Sequence, residues 1–379
     1  MLTTKKSDMK RAKYIAQPQT FIRHTPQRSF IGPGTFLLPD GEILMVAPWG
    51  RPPANFEQLA ATFPVPMTYR SRDGGRTWQE DGRLQMEWNL TGMLSDGGIT
   101  FLRLQDGRLA FLGHRHVEGL FGGGLPVFST SSDEGKTWTP ARTIGEPEGV
   151  WYVMNDRMIQ MKNGRLVVPV SHMAKGMGAG EGDCNLGLCF FSDDAGETWK
   201  SSSKPAELSD GRGMAEPCVA EVEGGRLLMV ARTGSGCKYA SWSEDGGDTW
   251  STPEPTTLVA ACSSLTLKTL PDGRLIVFYN HVKPLRAGAF FPRTPLCYAV
   301  SPDGGKSWGE PVLVDESGVQ LQDRQVIYPS ICFTTEGMLV VYSNHMADPD
   351  GSFAGQYSHE SPDCGGVRCI LEYPEDLKP

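Results

Sequence analysis

Ser71-Arg-Asp-Gly-Gly-Arg-Thr-Trp78 is one of five related octapeptides in this chain. The pattern Ser-x-Asp-x-Gly-x-Thr/Ser-Trp returns at Ser131–Trp138, Ser192–Trp199, Ser243–Trp250 and Ser301–Trp308, with starts 60, 61, 51 and 58 residues apart. A period of that size signals one repeat architecture rather than a string of unrelated domains. Short Ser and Asp side chains bond nearby backbone N–H groups and Gly accepts a positive φ, so each copy reads as a turn between strands. The Trp then supplies an apolar plate that packs between sheets. Repeated turn residues are scaffold, so these aspartates are read as structural.

A second repeat interleaves with the first. Pro39-Asp-Gly-Glu-Ile-Leu44 has counterparts centred on Gly107, Gly164, Gly225, Gly273 and Gly337, each flanked by apolar runs, and reads as a strand–turn–strand hairpin. Two hairpins per unit make four antiparallel strands, and six units predict an all-β, six-bladed β-propeller. Residues 28–379 form this single domain. The N-terminal segment, residues 1–27, is expected to lend a strand near Tyr14–His24 that closes the ring beside Val367–Tyr373.

Composition agrees and removes other classes. With 45 Gly and 28 Pro in 379 residues, helical bundles are disfavoured. The net charge of −8 and the lack of a basic block argue against nucleic-acid and anionic-membrane partners. No run approaches the roughly 18 apolar residues of a membrane span. The basic start, Lys5 to Lys13, is followed by no apolar stretch, so a secretory signal is not expected. Nine scattered cysteines without paired zinc spacing read as free thiols in a reducing cytoplasm, with no metal and no cofactor.

The hairpin glycine gives a common ruler. Nine residues before it stand Gly32, Gly98, Asn155, Glu216, Ser264 and Tyr328. Seven and eight residues after it stand Pro48-Trp49, His114-Arg115, Ser171-His172, Arg232-Thr233, Asn280-His281 and Asn344-His345. Polar residues at one register of otherwise apolar strands form a ring around one end of the channel. Within that ring Glu216, Arg232 and Tyr328 carry the chemistry. A carboxylate beside a phenol takes its proton and turns a group of ordinary pKa near 10 into a nucleophile, and an Arg anchors an anionic substrate.

Together these motifs resemble the sialidase superfamily, whose Asp-box, or bacterial neuraminidase repeat, matches the five Ser-x-Asp turns. The likeness covers roughly residues 28–345. It implies that Glu216, in Ala215-Glu-Pro217, activates Tyr328, in Tyr328-Pro-Ser-Ile331, as the nucleophile. It also implies that Arg232 and Arg293 belong to an arginine clamp on a substrate carboxylate, with Arg286 competing for the place of Arg293. Two places depart from the family pattern. Ile31 stands where the first clamp arginine is found, with Arg28 and Arg51 nearby, and Ala54–Glu57 contains no Asp to serve as acid. Glu57 is the nearest carboxyl, and Asp96 and Asp156 are further rim candidates.

The resulting expectation is an exo-acting retaining glycoside hydrolase on a terminal acidic sugar. Its catalytic residues would be Tyr328, Glu216 and Glu57. Arg232, Arg293, Asn155, Arg157, His172, His114 and Asp96 would bind a glycan or small carbohydrate substrate. Two alternatives stay open: a non-catalytic carbohydrate-binding propeller, and a lyase directed at uronic acids with Tyr328 or a rim His as base.

Overall fold

The computed structural model describes residues 9–24, 30–49, 65–84, 86, 98–116, 124–145, 149–173, 184–209, 212–284, 292–316, 324–346 and 364–375. These residues are all-β apart from a short 3-10 turn at Glu223–Gly225. The arrangement is propeller-like, with antiparallel units whose first strands pack side by side.

Strand β1 (Tyr14–Arg23) precedes the repeats. The first unit is the sheet β2 (Gly34–Leu37), β3 (Ile43–Trp49), β4 (Val65–Ser71) and β5 (Gln79–Arg83), paired in chain order. A nine-stranded sheet follows. It holds β6 (Thr100–Arg103), β7 (Leu109–His116), β8 (Gly124–Ser131) and β9 (Arg142–Thr143) as one unit. Its other unit is β10 (Val150–Tyr152), β11 (Ile159–Gln160), β12 (Leu166–Met173), β13 (Leu186–Ser192) and β14 (Lys200–Ser201), with β10 and β11 both on β12. The two units join through the pairing of Trp151 with Gly124.

Two four-stranded sheets come next. One is β15 (Ala215–Glu221), β16 (Leu227–Arg232), β17 (Cys237–Ser243) and β18 (Glu254–Val259). The other is β19 (Leu265–Thr269), β20 (Leu275–Asn280), β21 (Leu296–Ser301) and β22 (Val312–Asp315). The last sheet orders β1 beside β25 (Gly365–Leu371), then β24 (Met338–Met346) and β23 (Arg324–Phe333). Its outer strand thus comes from the opposite end of the chain, with Tyr14 opposite Leu371 and Arg23 opposite Gly365.

The core lies between units. One buried cluster joins Leu44 and Val46 to Phe101 and Phe111, and another joins Cys218 and Val230 to Leu267 and Val277. A third joins Ile43, Met45 and Tyr69 of the first sheet to Leu339, Val341 and Ile370 of the last. The second strand of each unit therefore alternates its apolar side chains between two neighbouring sheets, which is why those runs read as almost wholly hydrophobic.

The Asp-box turns are built as their sequence suggests. In all five copies the Ser Oγ accepts the amide of the Gly four residues on, at 2.7–2.9 Å. The Asp carboxylate accepts the hydroxyl of the Thr or Ser four residues on, at 2.5–2.6 Å. The turn glycine also faces the preceding unit. At Gly305, φ 91°, a Cβ would stand 2.1 Å from Leu228 Cδ2, so any other residue would displace that side chain and strain the backbone. Replacing Ser243, which is 1% exposed, leaves the Gly247 amide without its acceptor. Ser243→Ala is expected to cost about 1–2 kcal/mol in a urea melt. An unchanged midpoint would remove the turn from the account of stability.

Candidate active site

Glu216 lies near the start of β15 and Tyr328 midway along β23, the inner strands of two units, and both stand at bulges. The register of β15 with β16 shifts between Ala215 and Cys218, and that of β23 with β24 shifts between Ile327 and Ser330. Both residues are left-handed, Glu216 at φ 45° and Tyr328 at φ 54°, and each precedes a proline. A non-glycine residue in that region carries about 1–3 kcal/mol of strain, which surrounding structure has to hold. The equivalent residue of the first unit is Gly32, at φ 52° before Pro33. A left-handed residue before proline thus occurs at this register in three units, and in two of them it carries a side chain.

The bulges turn both side chains toward one point. Tyr328 Oη donates to Glu216 Oε1 at 3.3 Å, and Arg232 Nη1 donates to the same oxygen at 2.7 Å. Glu216 Oε2 has no hydrogen-bond partner among the described residues. Glu216, Tyr328 and Arg232 are 8%, 9% and 2% exposed, so the couple sits in a low-dielectric setting. Burial pushes the Glu216 carboxyl up, but the charges of Arg232, Arg157, Arg212 and Arg293 overcome it and hold the group at about 2. The carboxylate is ionised at any physiological pH.

The arginines differ in what they do. Arg232 also donates from Nε to Cys262 Sγ at 3.3 Å. Burial pushes the Cys262 thiol up, yet Arg232 and Arg212 together bring it below its ordinary value. Arg293 pairs its backbone with Gln325 and donates from Nη1 to Gln325 Oε1 at 3.1 Å. Burial, then the neighbouring Arg232, lowers its guanidinium to about 10, which leaves it charged at neutral pH. Arg212 was not singled out from the sequence. Its carbonyl accepts both the Asn185 amide N–H (3.1 Å) and Asn185 Nδ2 (2.9 Å). Gly213 follows at φ 70°, where a Cβ would meet Asn185 O at 2.2 Å. This pinned turn sends a largely buried guanidinium into the field of Arg232, Glu216 and Tyr328.

Other candidates are placed differently. Arg157 Nη1 donates to Glu216 O and Pro217 O, and Nη2 to Leu265 O. Asn155 Nδ2 donates to Pro33 O and Tyr328 O. His114 Nε2 lies 2.8 Å from Trp151 O, and His172 stacks on Trp151 with ring centroids 4.0 Å apart. Asp156 binds the Lys268 ammonium and the Ile331 amide. Ile31 packs with Met154, Ile327 and Tyr328, so an apolar wall flanks the phenol where the family pattern has a guanidinium. Glu57, Asp96, Arg28, Arg51 and Arg286 lie outside the described residues. Among the described residues no three His, Cys, Asp or Glu side chains are grouped to hold a metal ion.

The family model for the BNR repeat-like domain matches residues 116–341, and that for the BNR/Asp-box repeat matches residues 69–80. The chain belongs to the BNR repeat-like family. No curated protein matches this BNR-repeat chain. Among solved structures it is similar to a protein of unknown function from Dyadobacter fermentans, with a TM-score of 0.69 and 18% identity over 96% of this chain and 99% of that one. It is also similar to the intramolecular trans-sialidase from Ruminococcus gnavus, at TM-score 0.64 and 14% identity, over 97% and 99% of the two chains. The Trypanosoma rangeli sialidase gives a TM-score of 0.61 and 16% identity, and this BNR-repeat protein spans 58% of its length. At such identities the shared property is the fold.

Proposed function

We propose that this protein is a six-bladed propeller and a sialidase-like, exo-acting retaining glycoside hydrolase for a terminal acidic sugar. The blade count rests on six strand groups whose buried clusters run from each unit to the next and from the last to the first. The observation that carries the activity is the chain Tyr328 Oη–Glu216 Oε1–Arg232 Nη1, assembled on two strained bulges.

In this reading Tyr328 Oη attacks the anomeric carbon and its proton passes to Glu216. The glycosidic C–O bond breaks, and a rim carboxylic acid, for which Glu57 is the proposed residue, protonates the leaving oxygen. The same carboxylate then draws a proton from water, which attacks that carbon and releases Tyr328, whose oxygen takes back its proton from Glu216, so the configuration is retained. The carboxyl separation that distinguishes retaining from inverting glycosidases presumes a pair of catalytic carboxylates. With a phenol as nucleophile that distance does not predict the outcome.

A carboxyl held at about 2 is a poor base until its surroundings change. An anionic substrate group on Arg232 and Arg293, with Arg212 beside them, would offset the field that holds it down. Glu216 would then gain basicity only when an acidic sugar is bound, which favours such substrates over neutral ones.

The test is a panel of sialosides, uronic-acid glycosides and neutral glycosides, followed by reducing-sugar release and by NMR of the first-formed anomer. Retained product from an acidic glycoside is the expected result. Unsaturated uronate absorbance would replace this reading with the lyase. Glycan binding without any product, unchanged in Tyr328→Phe, would replace it with a binding propeller.

A further inference from the structure

Three consecutive residues reach both halves of the couple from one place. Asn155, Asp156 and Arg157 are at most 3% exposed and precede β11. Asn155 Nδ2 donates to Tyr328 O at 3.1 Å and to Pro329 O at 3.4 Å, the two carbonyls of one bulge. Arg157 Nη1 donates to Glu216 O and, at 3.1 Å, to Pro217 O, the two carbonyls of the other. Between them Asp156, at φ 60°, accepts the Ile331 amide at 2.8 Å just beyond the Tyr328 bulge.

The opposite side of each bulge is held in matching fashion. The Glu216 N–H donates to Ser171 Oγ at 3.3 Å and the Tyr328 N–H to Ser264 Oγ at 3.4 Å. A bulge followed by proline leaves carbonyls outside the strand ladder and supplies one donor fewer, so side chains have to satisfy it. Satisfying two such bulges from one rigid tripeptide ties their positions together. The sequence offers Asn155 and Arg157 as substrate ligands, whereas Asn155 Nδ2 and Arg157 Nη1 and Nη2 donate to the protein's own backbone.

We propose that Asn155-Asp156-Arg157 is a positioning hub that sets Glu216 Oε1 against Tyr328 Oη by gripping the backbone of both bulges, without touching substrate. The proposal rests on the reading of Glu216 and Tyr328 as the reactive couple. Misplacing reacting groups by about 1 Å costs on the order of 100-fold in rate, so a loosened hub should be read in turnover rather than affinity. Asn155→Ser and Arg157→Lys keep polarity and bulk near the native values and are the variants of choice.

Two measurements test it. In steady-state kinetics each variant should lose about 10- to 100-fold in kcat with KM within about twofold, and the double variant should lose little more than the worse single one. Side-chain ¹³C NMR, with signals assigned through Tyr328→Phe and Glu216→Gln, gives a readout that needs no substrate. Arg157 holds the Glu216 bulge and Leu265 O but makes no side-chain bond to the Tyr328 bulge, yet Arg157→Lys should also move the Tyr328 Cζ signal. Asn155→Ser should likewise move the Glu216 carboxyl signal. Shifts confined to the residue each variant touches, or a raised KM with kcat held, would overturn the hub. A wild-type protein that turns over no glycoside would sink the functional reading, while the NMR cross-talk would still decide the hub.

Discussion

Tyr328→Phe should lower kcat by about 10⁴-fold on an acidic glycoside under the proposed hydrolase mechanism, the scale on which loss of a nucleophilic group acts. The substitution removes one oxygen and keeps the ring against Ile31, Met154 and Ile327. Glu216 Oε1 retains its bond from Arg232, so no buried charge is left alone. Stability should therefore stay within about 1 kcal/mol of wild type. Circular dichroism melts run beside the kinetics separate the two effects. A variant with more than a tenth of native turnover would exclude Tyr328 as nucleophile, and the hydrolase reading would need another attacking group.

Arg232→Met acts on folding as well as on binding. Removing one member of a buried ion pair leaves the other charge uncompensated, at a cost of about 3–5 kcal/mol. Glu216 is 8% exposed and draws its largest attraction from Arg232, so the buried-pair figure applies rather than the smaller one for surface pairs. The double variant Arg232→Met with Glu216→Gln should recover part of the loss, because a neutral amide needs no counter-charge.

The pH dependence has a definite sign. Glu216 is held at about 2 in the folded protein against an ordinary value of 4.5, so the unfolded chain binds more protons between those values. Its contribution is complete above about pH 4.5 and is lost as pH falls toward 2. In Arg232→Met the carboxyl loses its largest attraction and rises from about 2, with Arg157, Arg212 and Arg293 still near it, so the difference in stability from wild type should widen as pH rises from about 2 toward 4.5. Urea midpoints across that range measure it. A difference independent of pH would mean that Glu216 is not the charge left behind.

The repeating parts of the molecule were legible because their causes are local. Ser243 and Asp245 bond amides three and four residues away, and every copy of that turn says the same thing. The six hairpin glycines fall between first and second strands as the register places them, and that ruler also locates Glu216 and Tyr328 on first strands. Arg212 escaped it because the ruler covered only positions nine before and seven and eight after each glycine, whereas Arg212, like Arg28 and Arg324, stands thirteen before. Cys262 escaped because a lone buried thiol looks like any core residue until Arg232 is seen against it.

Roles, as distinct from positions, needed the third dimension. Polarity at one register put Asn155 on the ring, with Arg157 two residues on, but register does not say which way a side chain points. Their partners lie 173 and 59 residues away, and the phenol and carboxylate are 112 residues apart. By itself the sequence determined the β repeat, its period and the residue types available at the rim, since turn chemistry and strand alternation act over a few residues. The tertiary structure decided which polar groups meet, because two proline-flanked bulges turn Glu216 and Tyr328 inward while the carbonyls they expose capture Arg157 and Asn155.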